Sequence, residues 1–137
     1  MSSGNPQQEL DDRDFAELLR FRDALRQFLR WSQDRAREAG LTPAQHQLLL
    51  AVRGHGGEPT IGEVAEHLLL RHHSAVELVD RAARAGLLER RSGADDRRVV
   101  HLALTPEGAA RLAALSAAHL VELQRLQRGL RLPQLGG

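Results

Sequence analysis

The residues best suited to chemistry lie between Arg71 and Arg98, where polar side chains at helical spacing are followed by a pair of arginines. In the run His72-His73-Ser74-Ala75-Val76-Glu77-Leu78-Val79-Asp80-Arg81-Ala82-Ala83-Arg84-Ala85, Ala75, Leu78, Val79 and Ala82 fall at i, i+3, i+4 and i+7. That spacing predicts a helix with one buried stripe about 100° wide. The other face carries His73, Val76, Glu77, Asp80, Arg81 and Arg84. Gly86 stops the helix, and Leu87-Leu88-Glu89-Arg90-Arg91 reads as a strand. A polar turn over residues 92–96 leads to Arg97-Arg98, and Val100, Leu102 and Leu104 then alternate with polar or small positions until Thr105-Pro106. This is the period-2 signature of a half-buried strand. A helix with a polar outer face beside a basic ribbon suits duplex DNA, because the arginine fork matches both phosphate oxygens and a guanine edge.

Leu78-Val79-Asp80-Arg81, Ala85-Gly86-Leu87, Asp96-Arg97-Arg98 and Leu104-Thr105-Pro106-Glu107-Gly108 together resemble the winged helix-turn-helix of MarR-type transcriptional regulators. No single one of these segments is diagnostic; their order and spacing over residues 41–108 carry the resemblance. It implies a mainly α fold with a small β wing, in which a winged helix-turn-helix (41–105) is joined to long N- and C-terminal dimerisation helices (11–40 and 106–132). It also implies a homodimer on a palindromic site, a regulator that is most often a repressor, and a ligand pocket between the dimerisation helices and the winged region. The chain departs from the family pattern in the turn before the second helix. Leu69 stands where glycine is usual, and Arg71 where a Ser or Thr cap is usual.

On this reading the DNA-contacting residues are Arg71, His72, His73, Ser74, Val76, Glu77, Arg81, Arg97 and Arg98. The two histidines fall at the start of the helix, where phosphates and base edges are met, although histidine is also common on any surface. Arg98 has two compatible roles: entering a narrow minor groove, or pairing with Asp80 to support the wing. Arg97 is less committed and suits a phosphate. Glu77 is repelled by phosphates, so it must accept from cytosine N4 or hold Arg81, its i+4 neighbour, unless the two merely form a solvated pair.

Composition bounds the alternatives. A chain of 137 residues, 42% hydrophobic and 27% charged, is sized for one ordered domain. It has no cysteine, which excludes a disulfide framework and a thiol sensor. No apolar run reaches the roughly 18 residues that would span a bilayer, and the acidic start is no signal peptide, so a cytoplasmic location is expected. The net charge of +1 is unevenly spread: residues 1–70 carry 8 Arg against 11 acids, and residues 71–101 carry 7 Arg against 5. Every basic residue other than histidine is Arg; that bias is consistent with a GC-rich genome as well as with bidentate recognition.

Residues 1–10 lack periodicity and read as a flexible tail. Asp11 or Asp12 caps a helix that Gly40 stops, and Thr42-Pro43-Ala44-Gln45 and Thr60-Ile61-Gly62-Glu63 read as capping boxes opening two more. The first helix has an apolar set too wide for one stripe, and a last helix runs from Pro106 to about Arg131. Phe15, Leu18, Phe21 and Leu25 of the first helix are expected to meet Leu115, Leu120 and Leu123 of a partner's last helix. Phe28, Trp31, His46 and Leu49 could receive a small aromatic or acidic ligand near the hinge, or Trp31 could simply be core.

Seven histidines invite a metal reading, but a zinc site wants three or four converging ligands, and no H-x3-H pair on a suitable helical face occurs. No cofactor loop, nucleophile motif or paired-carboxylate cleft is present, so neither a cofactor nor a catalytic residue is expected. The competing class is a winged-helix protein-interaction module whose wing arginines are solvated and read no bases.

Overall fold

The computed structural model describes residues 9–93 and 95–129. The expected tail (apart from residues 9 and 10), Ala94 and the last turn toward residue 132 lie outside them. The elements are α1 (Asp12–Glu38), α2 (Pro43–Gly54), α3 (Ile61–Leu68), α4 (His72–Arg84), β1 (Leu88–Ser92), β2 (Val100–Leu104) and α5 (Pro106–Gly129). This is the mainly helical fold with a two-stranded wing that the sequence leads one to expect.

The caps form as the local chemistry dictates. Thr42 Oγ1 accepts from Gln45 N at 3.1 Å while Gln45 Oε1 accepts from Thr42 N at 3.1 Å. Thr60 and Glu63 repeat the exchange at 3.2 and 3.0 Å, and Asp11 and Asp14 do so at the start of α1. Each box satisfies two backbone donors that a helix start would otherwise leave unpaired.

The core is centred on α2, which packs against α1, α3, α4, α5 and β2. Its Leu48, Leu49 and Val52 are buried with Ala36 and Leu41, with Val64 of α3, Val79 and Ala82 of α4, Leu88 and Leu102 of the wing, and Leu112 and Leu115 of α5. β1 and β2 pair antiparallel with Leu88 opposite Leu104 and Arg90 opposite Leu102. The period-2 expectation holds only in part, since Leu102 and its neighbour Ala103 are both buried. β2 is covered because α2, α3 and α5 all pack against it, and its outer edge is taken up as well: Leu102 N donates to Pro59 O at 2.8 Å, and Thr60 bridges His101.

Between α3 and α4 the chain reverses at Leu69, which lies in the left-handed region (φ 55°, ψ 42°) with its side chain 92% exposed. Leu70 N donates to Ala65 O at 2.9 Å, closing the last turn of α3. A Cβ in this conformation costs on the order of 1 kcal/mol, and the exposed leucine recovers little by burial. Leu69→Gly is therefore expected to raise the melting temperature by about 2 °C, after glycine's larger unfolded-state entropy offsets part of the gain. A thermal melt showing a lower value for the variant would contradict this.

Candidate nucleic-acid interface

α4 turns one face to the core and one outward. Ala75, Val79 and Ala82 are fully buried, and Leu78 is half-buried against the same cluster. Arg71, His72, His73, Glu77, Arg81 and Arg84 are exposed, and Ser74 and Val76 half-exposed. Arg71 has extended backbone (ψ 152°) and caps the helix with no side-chain hydrogen bond. Its guanidinium is left to point elsewhere, and the first backbone N–H groups of α4 keep their capacity for an outside acceptor such as phosphate. Glu77 and Arg81 form no ion pair with each other, so the solvated pair weighed from the sequence is not what holds Glu77.

The wing's arginines divide into two pairs. Arg90 donates to Asp80 of α4, while Arg91 donates to Glu58 at 2.6 Å and to Glu89 at 2.8 Å. Arg97 and Arg98 follow in the turn, which Gly93 N closes on Val99 O at 2.8 Å. Arg98 N donates to Asp96 Oδ1 at 2.9 Å. Both side chains are exposed and, among the described residues, neither makes an ion pair. The expected Asp80–Arg98 pair is thus corrected to Asp80–Arg90. Residues 80 and 90 lie equally far from the turn at Ala85, so helix and strand run back past each other and bring those two side chains together; Arg98 sits beyond the far end of β1. The wing support missed by sequence reasoning is Arg90, and this symmetry was the signal that could have found it. Arg91, Glu58 and His101 were also missed. His101 Nδ1–H donates to Glu58 O at 2.8 Å, fastening the wing base to the segment before α3.

A double-mutant cycle on Asp80→Ala and Arg90→Ala should give a coupling below about 1 kcal/mol, because both side chains are more than a third exposed. The same cycle with Arg98→Ala should give none; coupling of Asp80 to Arg98 and not to Arg90 would contradict the arrangement.

Among the described residues, the four residues expected to form a ligand pocket divide between an aromatic cluster and a cavity. Trp31 lies 6.0 Å from Phe28 and 4.8 Å from His119 between ring centroids, His46 lies 4.8 Å from His119, and Leu49 is fully buried. His119 Nδ1–H donates to Leu115 O at 2.7 Å, leaving Nε2 to accept from Ser32 Oγ at 2.7 Å. These rings form an aromatic junction between α1, α2 and α5. Burial, and secondly the neighbouring His119, hold the His46 pKa below its ordinary value. A histidine depressed in the fold is neutral there, so its share of stability is lost as the pH falls below the ordinary imidazole range. Phe28 lines a cavity of about 390 Å³, together with Phe21, Ala24, Leu25, Leu123, Leu126 and Gln127.

The expected dimer residues also divide. Phe15, Leu18, Leu25, Leu120 and Leu123 are exposed, and Phe21 is half-buried. Leu115, however, is 5% exposed and belongs to the chain's own core. The first half of α5 lies over α2, so Leu112 and Leu115 point inward, whereas Leu120 and Leu123 come after the helix has passed the core. Among the described residues no group of three or more His, Asp or Glu is arranged to hold a metal ion, and no helix is long and apolar enough to cross a membrane.

Two helices joined by a tight turn, with a basic two-stranded hairpin beside the second, define a winged helix-turn-helix protein. A family model described as MarR family matches residues 39–99. The HTH-type transcriptional repressor MdtR of Bacillus subtilis (strain 168) is 35% identical over 69 residues, covering 50% of this chain and 44% of that protein, so the match spans less than half of the relative's length. The YusO protein from Bacillus subtilis has a similar structure (TM-score 0.66, 25% identity, 90% of this chain and 87% of that one). A mutant of MepR from S. aureus, solved bound to an oligodeoxyribonucleotide, shares the fold (TM-score 0.67, 20% identity, 83% and 82%). Residues 39–99 are thus similar to the MarR family, and the chain has the winged helix-turn-helix fold of these solved structures.

Proposed function

We propose that the protein is a DNA-binding transcriptional regulator, a repressor that acts as a homodimer on a palindromic site. The observation that carries this reading is the division of the wing arginines. Arg90 and Arg91 are spent on Asp80 of α4, on Glu58 before α3 and on Glu89 within β1, which leaves Arg97 and Arg98 exposed at the wing tip. Cations on a hairpin turn beside a winged helix-turn-helix suit phosphate positioning, while His73, Val76, Glu77 and Arg81 offer donors, an acceptor and a methyl surface to base edges. The DNA-bound MepR structure and the repressor name of MdtR support the same direction.

The exposed leucines of α1 and α5 supply the surface for a second copy. In such a dimer the two α4 helices would meet successive major grooves about 34 Å apart. Any effector is better matched to the cavity beside Phe28 than to the Trp31–His46 junction, and that cavity's lining carries no charged side chain. An apolar aromatic molecule fits it better than an acid.

The test is a gel shift on the DNA upstream of the protein's own gene. A retarded band that survives excess random competitor is expected, together with a dimer mass by light scattering at micromolar concentration. A monomer, or no retardation at low salt, would favour a protein-interaction module instead.

A further inference from the structure

One side-chain cluster lies apart from the DNA face and is used by none of the roles above. His55, at the C-cap of α2, directs Nε2 at Glu63 Oε2 (2.7 Å) and Nδ1 at His67 Nε2 (2.9 Å). A carboxylate only accepts, so His55 Nε2 carries the proton, and His55 Nδ1 is then the acceptor of a proton on His67 Nε2. Glu63 is itself fixed: its Oε1 takes Thr60 N in the capping box of α3. Its carboxyl pKa is lowered by that backbone hydrogen bond first and by His55 last.

We propose that His55 and His67 form a two-imidazole site for a divalent transition ion of the zinc and copper(II) class, with Glu63 as the outer residue that orients His55. The geometry points there for three reasons. The two nitrogens that face each other are the ligating atoms, and an ion bound tetrahedrally at about 2.05 Å from each would hold them about 3.3 Å apart, a widening of a few tenths of an ångström. The remote nitrogen of His55 already donates to a carboxylate, the arrangement that fixes tautomer and ring direction for metal-bound histidine. His67 is exposed and His55 only partly covered, so water can fill the remaining positions. Ligation needs no net loss of a proton from the neutral pair. The His67 proton moves through solvent from Nε2 to Nδ1, and the ion takes its place between the rings. Imidazole pairs bind copper(II) more tightly than zinc or nickel.

The site joins the segment after α2 to the last turn of α3. That segment also carries Glu58 and Pro59, which accept from Arg91, His101 and Leu102 of the wing. Occupancy would therefore stiffen the base of the wing.

The experiment is a zinc titration of tag-free full-length protein against a chromophoric chelator. One zinc per chain is expected, and His67→Gln or His55→Gln should weaken its capture at least tenfold. Glu63→Gln keeps a capping-box side chain but loses the second carboxylate oxygen, and should weaken capture about tenfold. Saturating zinc should slow hydrogen exchange at the Leu102 amide in the wild type and not in His67→Gln, with circular dichroism confirming that the variants are folded. His72→Gln/His73→Gln should bind zinc as the wild type does. The proposal is overturned if the His55→Gln/His67→Gln double variant takes up zinc as the wild type does, or if capture follows His72 and His73 instead.

Discussion

Gly108→Ala should lower the melting temperature by about 10 °C. A β-carbon at position 108 would lie 1.9 Å from Leu87 O and 2.9 Å from Leu87 C, both backbone atoms. No rotamer change relieves that overlap; either the first turn of α5 or the turn after α4 must move. The junction has little slack, because Thr105 N donates to Leu87 O at 3.1 Å, Thr105 Oγ1 to Gly86 O at 2.6 Å, and Gly108 N to Thr105 Oγ1 at 3.0 Å. Leu87, Leu88 and Leu112 are buried on either side of it. Overpacking of this kind costs on the order of 3 kcal/mol, roughly 3 °C for each at this chain length. Gly129 is the control: a Cβ there would meet nothing within 4 Å, so Gly129→Ala should leave the melt unchanged or slightly raised. Equal melts for the two variants would show that the close approach of α5 to Leu87 is wrong.

The second large effect is expected at the dimer surface. Leu18 and Leu25 are seven residues apart on α1, both exposed, and Leu25 with Leu123 of α5 edges the cavity beside Phe28. If a second copy covers this face, Leu18→Glu/Leu25→Glu places two carboxylates, with Arg22 as a nearby cation on α1, in an apolar contact, a cost of several kcal/mol for a buried charge left unpaired. The variant should run as a monomer in light scattering at concentrations where the parent is a dimer. Its affinity for a palindrome should fall by at least a hundredfold, since each half-site must then be bound alone. A variant that remains dimeric would move the interface elsewhere. Leu115 is left out of the design because its burial belongs to the chain's own core.

These expectations also mark what the sequence made legible. Capping residues act within three positions of themselves, so Thr42, Thr60 and the glycine stops could be read from the chain alone. The buried stripe of α4 follows from its 3.6 period for the same reason. Side-chain partners across elements were less accessible. Asp80 had Arg90, Arg91, Arg97 and Arg98 within reach in sequence, and only the path of the hairpin decides among them. Apolar periodicity along α5 likewise could not tell a residue that covers α2 from one that waits for a second chain, which is why Leu115 was grouped with Leu120 and Leu123. His119 looked isolated because its partners, Ser32 and His46, lie far back in the chain and meet it only after α5 has returned along α1.

The most direct test of the proposed DNA contact by the wing tip is the salt dependence of duplex affinity for the parent and for Arg97→Ala/Arg98→Ala. Fluorescence anisotropy with one fixed operator duplex, over a series of salt concentrations, gives log Kd against log salt. Removing one arginine from a phosphate should flatten the slope by about 0.9, so removal of both should flatten it by roughly twice that and weaken binding to operator and random duplex alike. An unchanged slope, with affinity retained, would contradict the account by showing that Arg97 and Arg98 do not touch the DNA backbone.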